Sequence, residues 1–159
     1  MNDAYRTYFA SAPPARATVR ADLAGPQYAV EITFTASAAS RRALTSNAAP
    51  GLPLSSGIVA GRAVYLSGML GFDDSNKTDA AAQTRVTLAK LARSLAEAGA
   101  SVANVREAIV YVTGRAFLPD VDREYAAFFG PHTPARTNIV CGLVAPDGLV
   151  EIMLTAELP

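Results

Sequence analysis

The feature that most restricts the folds open to this chain is an internal repeat. Residues 1–39 match residues 121–159 at a constant offset of 120, without a gap. The positions in register are Tyr5 with Tyr125, Phe9 with Phe129, Pro14-Ala15-Arg16 with Pro134-Ala135-Arg136, Leu23 with Leu143, Pro26 with Pro146, Val30-Glu31-Ile32 with Val150-Glu151-Ile152, and Thr35-Ala36 with Thr155-Ala156. Self-similarity at a fixed offset indicates repeated structural units. We interpret it as a duplicated helix–strand–strand unit, the alternative being coincidence in an alanine-rich chain.

Local patterns predict alternating strands and helices. The predicted strands span residues 16–23, 28–36, 57–60, 63–67, 105–113, 137–143 and 149–156, and the predicted helices span 3–10, 79–98 and a segment that Pro119 opens. Asp79 is a predicted helix cap and Gly99 a predicted helix end. The predicted organisation is a partial repeat at 1–36, a linker at 37–50 and a main domain at 51–159. Its class is α+β, with helices covering a mixed sheet.

Composition excludes several classes of function. The 159 residues suit one domain, and half of them are hydrophobic, which is enough to build a core. Fourteen basic and fourteen acidic residues give zero net charge, which argues against a nucleic-acid binder and favours self-association. No membrane segment or signal peptide is evident. One cysteine, Cys141, and one histidine, His132, exclude a disulfide and a Cys/His zinc cluster. We expect a cytoplasmic protein with no metal and no cofactor.

From Pro53 to Glu157 the chain resembles the Rid family (reactive intermediate deaminase, also called YjgF or L-PSP). The residues that carry the resemblance are Ser56-Gly57-Ile58-Val59-Ala60-Gly61, Leu66-Ser67-Gly68, Gln83-Thr84, Glu97-Ala98-Gly99, Tyr125 with Phe128-Phe129, Pro134-Ala135-Arg136 and Val150-Glu151-Ile152. The resemblance implies a chorismate-mutase-like Rid domain, in which two helices cover one face of a mixed sheet. It also implies a homotrimer with sites in the clefts between subunits.

The resemblance further implies an enzyme that hydrolyses 2-imino acids and their enamine tautomers to 2-keto acids and ammonia. Arg136 matches the family arginine and is the predicted carboxylate clamp, since a guanidinium holds a carboxylate with two parallel hydrogen bonds. Glu151 matches the family acid and would orient water or act in general acid–base catalysis. Ser67, Gly68 and Asp122 complete the predicted substrate-binding set. The expected partner is a small carboxylate-bearing substrate, with no nucleic acid and no membrane.

Three departures from the family pattern leave a second function open. Leu54 replaces a frequent tyrosine, Met69 a frequent glutamine, and Asp122 a frequent asparagine, where an anion would repel a substrate carboxylate. The alternative is a non-catalytic binding or assembly module of the Rid fold. Ribonuclease activity, which has been attached to the family name, is disfavoured by the neutral charge and the lack of a basic stripe. Chorismate hydrolysis, known in a relative of this fold, is a remote option.

The N-terminal unit supplies candidates for a second site. Asn2, Arg16 and Glu31 match the family pattern, and Asn2 matches it better than Asp122 does. This unit lacks the preceding strands and long helix of a whole Rid domain. Two explanations stay open: the chain is the remainder of a tandem protein, or the unit adds to the sheet or swaps with a neighbour's equivalent.

Overall fold

A computed structural model describes residues 1–47 and 50–159; Ala48 and Ala49, within the predicted linker, lie outside the described residues. The helices are α1 (Asn2–Tyr8), α2 (Ala80–Ala98) and α3 (Leu118–Phe129). The strands are β1 (Val19–Arg20), β2 (Arg41–Leu44), β3 (Gly57–Ala60), β4 (Ala63–Leu66), β5 (Met69–Leu70), β6 (Val105–Val112), β7 (Ala135–Val140), β8 (Gly142–Leu143) and β9 (Val150–Glu157). The predicted α+β class is confirmed.

In the described part of the chain the main sheet has seven strands and is mixed. Its order is β2-β3-β4-β9-β6-β7, and β5 also pairs with β9. The pairings are antiparallel except that of β6 with β7, which is parallel. These two strands are joined through α3, because parallel neighbours need a crossover rather than a tight turn. Helices α2 and α3 pack against each other and against the sheet, and their apolar side chains form the core with those of the strands.

Helix α2 follows the sequence prediction closely. The Asp79 side chain accepts a hydrogen bond from the backbone N–H of Ala82 at 2.8 Å, which satisfies one of the free donors of the first turn. Gly99 ends the helix in the left-handed conformation, with φ of 89°, which glycine adopts without a steric penalty. Leu91 and Leu95 lie on the buried face. None of the described helices is long and apolar enough to span a membrane.

The N-terminal unit differs from its prediction. Helix α1 forms, but the predicted strand at 16–23 is reduced to β1, which pairs antiparallel with β8. The predicted strand at 28–36 is wrong: its backbone is irregular and its residues are exposed. The physical reason is that β9, which carries the matching sequence, already lies between β4 and β6. Within the predicted linker, residues 41–44 form β2, which extends the sheet beyond β3.

Residues 30–36 and 150–156 share a sequence pattern, but only the second segment forms a strand, and this difference can be tested. Val30, Ile32 and Phe34 are each at least half exposed, whereas their counterparts in β9 are almost fully buried. We expect the amides of residues 30–36 to exchange with solvent about 1000-fold faster than those of residues 150–156. Hydrogen exchange followed by mass spectrometry measures both segments in one experiment. Equal protection of the two would show that residues 30–36 form a paired strand in solution.

Candidate functional site

Residues 13–16 lie against the main domain, and four hydrogen bonds join their backbone to Ser55, Ser67 and Gly68. The Ser55 backbone N–H donates to the Pro14 carbonyl at 3.2 Å, and its hydroxyl donates to the Pro13 carbonyl at 2.5 Å. The Arg16 N–H donates to the Ser67 hydroxyl at 2.9 Å, and the Gly68 N–H donates to the Arg16 carbonyl at 3.2 Å. The backbone of Arg16 is thereby held against the end of β4.

The guanidinium of Arg16 has hydrogen-bonding capacity that the described protein does not use. It lies over the ring of Tyr5, with 4.9 Å between its central carbon and the ring centroid. Its Nε and Nη1 atoms are buried and have no hydrogen-bond partner among the described residues, and the same is true of Asn2 Oδ1. Because buried polar groups are nearly always paired, this arrangement favours an anionic ligand that accepts from both Arg16 nitrogens.

Glu151 is the acid of this site. Its side chain lies on β9 and the residue is only 4% exposed. Burial raises the pKa of Glu151 to about 7, against the lowering effects of a hydrogen bond from the Thr18 backbone and of the Arg16 charge. A carboxyl group with a pKa near neutrality can both accept and return a proton at physiological pH.

Gly68 allows the carboxylate to approach. A Cβ atom at this position would lie 1.9 Å from Glu151 Oε1 and 3.0 Å from the Cβ of Ala17. Any larger residue would therefore displace either the carboxylate or the N-terminal segment. Gly68 is thus needed for packing at this point rather than for an unusual backbone conformation.

Arg136, the predicted carboxylate clamp, does not lie beside Glu151 in the same chain. Its Nη2 forms an ion pair with Asp122 Oδ1 at 2.7 Å, and its guanidinium lies over the ring of Tyr125 at 4.7 Å. In the strand register Arg136 is opposite Ala108, whereas Glu151 is opposite Tyr111. Positions 108 and 111 differ in parity, so the two side chains project from opposite faces of the sheet. One chain therefore does not bring Arg136 and Glu151 together.

The remaining predicted site residues take different positions. The Ser67 hydroxyl accepts a hydrogen bond from the Arg16 N–H, and the Gly68 N–H donates to the Arg16 carbonyl, so both groups of the Arg16 backbone are paired. Substrate binding by Ser67 and Gly68 stays a prediction. Glu31 is exposed on irregular backbone, and the acid beside Arg16 is Glu151 instead.

Two contributors were missed by reasoning from sequence. Tyr5 was predicted to lie in a short helix and to match Tyr125, with no site role assigned, and it is the aromatic face under Arg16. Thr18 was not singled out, although its backbone bonds Glu151. The repeat carried a signal for Tyr5, since Tyr5 precedes Arg16 by the same interval as Tyr125 precedes Arg136. Nothing in the sequence indicated Thr18, because any residue except proline can donate a hydrogen bond from its backbone.

Among the described residues no group of three or more His, Cys, Asp or Glu is placed to hold a metal ion.

Comparisons with known proteins bear on the main domain. The family model described as Endoribonuclease L-PSP matches residues 45–158. The structure of a YjgF-family protein from Neisseria meningitidis is 30% identical, with a TM-score of 0.66 over 76% of this chain and 96% of that one. A member of the YjgF/YER057c/UK114 family from Mycobacterium tuberculosis is 33% identical, with a TM-score of 0.66 over 75% of this chain and 100% of that one. A protein of unknown function from Pseudomonas aeruginosa is 31% identical, with a TM-score of 0.68 over 75% and 93% of the two chains.

The raised pKa of Glu151 predicts how stability depends on pH. Below pH 4.5 the group is protonated in the folded and the unfolded chain, and above about pH 7 it is ionised in both. Between these limits the folded chain retains the proton that the unfolded chain has released, so stability falls as pH rises. Relative to Glu151→Gln, the wild-type chain should lose about 3 kcal/mol of unfolding free energy across this interval. Urea unfolding at pH 4.5 and 7.5 measures the difference, and parallel pH dependences of the two proteins would contradict it.

Proposed function

Because the chain belongs to the L-PSP (YjgF, or Rid) family, we propose that it hydrolyses small imines or enamines that bear a carboxylate, releasing a keto acid and ammonia. The reaction takes place where the N-terminal segment meets the main domain. Arg16 is the carboxylate clamp and Glu151 is the acid–base group. The observation that carries this assignment is a guanidinium whose buried Nε and Nη1 atoms have no hydrogen-bond partner among the described residues, beside a buried carboxyl group whose pKa is raised to about 7.

Arg16 supplies the binding interaction in this proposal. A 2-imino acid carries its carboxylate on the carbon next to the C=N group, so a clamp on the carboxylate also positions the reacting carbon. The Nε and Nη1 atoms of one guanidinium form a fork that matches the two carboxylate oxygens. The contact with the ring of Tyr5 and the two backbone bonds of Arg16 limit the motion of the clamp.

Glu151 supplies the proton transfers. The ionised carboxylate takes a proton from water as the water oxygen bonds to the imine carbon and the C=N electron pair moves to nitrogen. The protonated carboxyl group gives that proton to nitrogen, which forms a carbinolamine. The carboxylate then takes the hydroxyl proton as the carbonyl forms and passes it to the departing nitrogen, so that the C–N bond breaks with release of ammonia. The atoms balance as imine plus water to ketone plus ammonia, and neither step requires a nucleophilic side chain.

The sequence prediction that Arg136 is the clamp remains a second version of this proposal. It requires the acid of a second chain, because Arg136 and Glu151 of one chain project from opposite faces of the sheet. All six residues of β7, the strand that carries Arg136, are exposed, which leaves room for such a neighbour. We therefore retain a homo-oligomer, with a trimer as the expected form, and a cytoplasmic location as parts of the proposal.

A non-catalytic binding module is the alternative function. It is favoured by the Ser67 hydroxyl and the Gly68 N–H, which are bonded to the Arg16 backbone instead of facing a ligand. In that case Arg16 and Glu151 would hold a small carboxylate without turnover. An assay with transient 2-aminoacrylate, set beside calorimetric titration with 2-oxobutanoate, separates the two functions. Titration heat without accelerated ammonia release would favour the module.

Replacing the clamp tests the proposed site directly. We expect Arg16→Ala to lower kcat/KM for 2-iminobutanoate about 100-fold or more, because a buried charge-assisted pair with the substrate is lost. Arg16→Lys should restore part of this loss, since it keeps the charge but not the fork. Continuous measurement of imine decay gives both values. Arg136→Ala is the matched control, because Arg136 corresponds to Arg16 in the repeat. If Arg136→Ala abolishes activity while Arg16→Ala does not, the clamp is Arg136.

The pH dependence of the reaction tests the acid–base role. Since water activation needs the ionised form of Glu151, kcat/KM should rise with pH and level off above about pH 7. The inflection should disappear in Glu151→Gln together with most of the activity. Initial rates from pH 5.5 to 8.5, corrected for uncatalysed imine hydrolysis, provide the profile. A profile flat across this range in the active wild-type protein would exclude Glu151 as the base.

A further inference from the structure

Residues 28–36 form an exposed segment whose sequence has the pattern of a β-strand. Large apolar residues alternate along it with small or polar ones: Tyr28, Val30, Ile32 and Phe34 alternate with Ala29, Glu31, Thr33 and Thr35. Each of the four large apolar residues is more than half exposed. Because side chains of an extended chain point alternately to its two sides, a strand at this position carries a continuous apolar stripe on one side.

Nearly the same sequence forms a strand elsewhere in the chain. Residues 30–36 and 150–156 differ at two of seven positions: Thr33 corresponds to Met153, and Phe34 to Leu154. Residues 150–156 belong to β9, which lies between β4 and β6. Residues 28–36 pair with none of the strands in the described part of the chain. The segment therefore has the residues of a strand and lacks a neighbouring strand.

Strand β7 has an edge that such a segment can extend. Within the described residues β7 ends the sheet and pairs only with β6, so it presents unpaired backbone groups along its other side. At the opposite end of the sheet, β2 has arginine at two of its four positions, Arg41 and Arg42, and charged edge residues oppose further pairing. The charged residue of β7, Arg136, is already paired with Asp122. β7 is therefore the edge better suited to accept a strand.

The two sides of β7 match the two sides of residues 28–36. Arg136 and Asn138 lie opposite core residues of β6 and so project to the side that the helices cover. Ile139 lies opposite Tyr111 and projects to the other side of the sheet. When the apolar stripe of the segment faces that side, it continues the apolar surface of Ile139 and Tyr111. The polar residues of the segment then fall on the side of Arg136 and Asn138.

We propose that residues 28–36 of one copy of this chain add to the free edge of β7 of a second copy as a further strand. Backbone hydrogen bonds supply the attraction, and the apolar stripe fixes which side of the segment faces which side of the sheet. The zero net charge of the chain leaves little overall repulsion between copies. Each copy carries one segment and one edge, so pairing gives a mutual dimer or a larger assembly.

Sedimentation velocity of the full chain at about 2 µM and about 200 µM tests this assembly, because association follows mass action. We expect the wild-type mass to rise with concentration. Ile32→Asp should weaken association at least about 10-fold, because it places a charge in the apolar stripe. Ala38→Asp adds the same charge at an exposed position outside the segment and should assemble like the wild type. At the low concentration both variants should unfold at the wild-type temperature, because both positions are exposed in the single chain.

Hydrogen exchange at the same two concentrations locates the contact. In the dilute protein residues 30–36 should exchange rapidly, as expected for a segment without a neighbouring strand. In the concentrated protein the amides of residues 28–36 and of residues 135–140 should both gain about 10-fold or more protection, because each segment then pairs with the other. Protection that does not change with concentration in these two segments would contradict the pairing.

Cross-linking between separate chains tests which sides meet. In a Cys141→Ala background, chains with Glu31→Cys or Thr33→Cys are mixed with chains with Asn138→Cys or Thr137→Cys. We expect Asn138→Cys to form a linked dimer with at least one of the two segment variants, because these side chains share one side of the extended sheet. Thr137→Cys is the matched control, since it projects to the opposite side and should link with neither.

Three results would overturn the proposal. The first is a wild-type protein that stays a single chain at about 200 µM. The second is an Ile32→Asp variant that assembles as readily as the wild type. The third is a Thr137→Cys variant that links as readily as Asn138→Cys. None of these measurements reads hydrolysis, so their failure leaves the proposed function standing, and loss of the proposed function leaves this inference standing.

Discussion

The hydrogen bonds between the backbone of residues 13–16 and the end of β4 are the interaction on which the candidate site depends. Ser55, Ser67 and Gly68 supply the donors and acceptors that pair with the backbone groups of Pro13, Pro14 and Arg16. Without them Arg16 would be an exposed cation on a tail, and Glu151 would face water with an ordinary acidity. Docking therefore creates both properties of the site, the oriented guanidinium and the carboxyl group with a raised pKa.

Competition for one position in the sheet explains the different fates of two similar segments. Residues 30–36 and 150–156 share a Val-Glu-Ile start and a Thr-Ala end, yet only the second segment forms a strand. β9 lies between β4 and β6, where its backbone groups are paired on both sides. A strand pattern without neighbouring strands gains neither ladder hydrogen bonds nor burial, so its conformational entropy is not offset.

Much of the main domain could be predicted from sequence because its signals are local. The cap at Asp79, the end at Gly99 and the apolar stripe of α2 each depend on residues a few positions apart. Glu151 and Arg16 were both identified as chemically significant from sequence. Their association with each other was not predicted, because the repeat aligned each arginine with the acid of its own unit. The β2 strand was missed for a similar reason, since its polar Arg41 and Arg42 are stabilised by pairing with β3 rather than by an apolar pattern.

The sequence by itself determined the family of the main domain, its helices and most of its strands, and it identified Arg16 and Glu151 as candidate site residues. Only the tertiary structure decided that Arg136 forms an ion pair with Asp122 while Arg16 lies beside Glu151. The reason is physical: whether a charged group is paired, buried or solvated depends on neighbours that are distant in sequence. Asp122 on α3 pairs with Arg136 on β7, whereas Arg16 reaches Glu151 because the N-terminal segment is held against the end of β4.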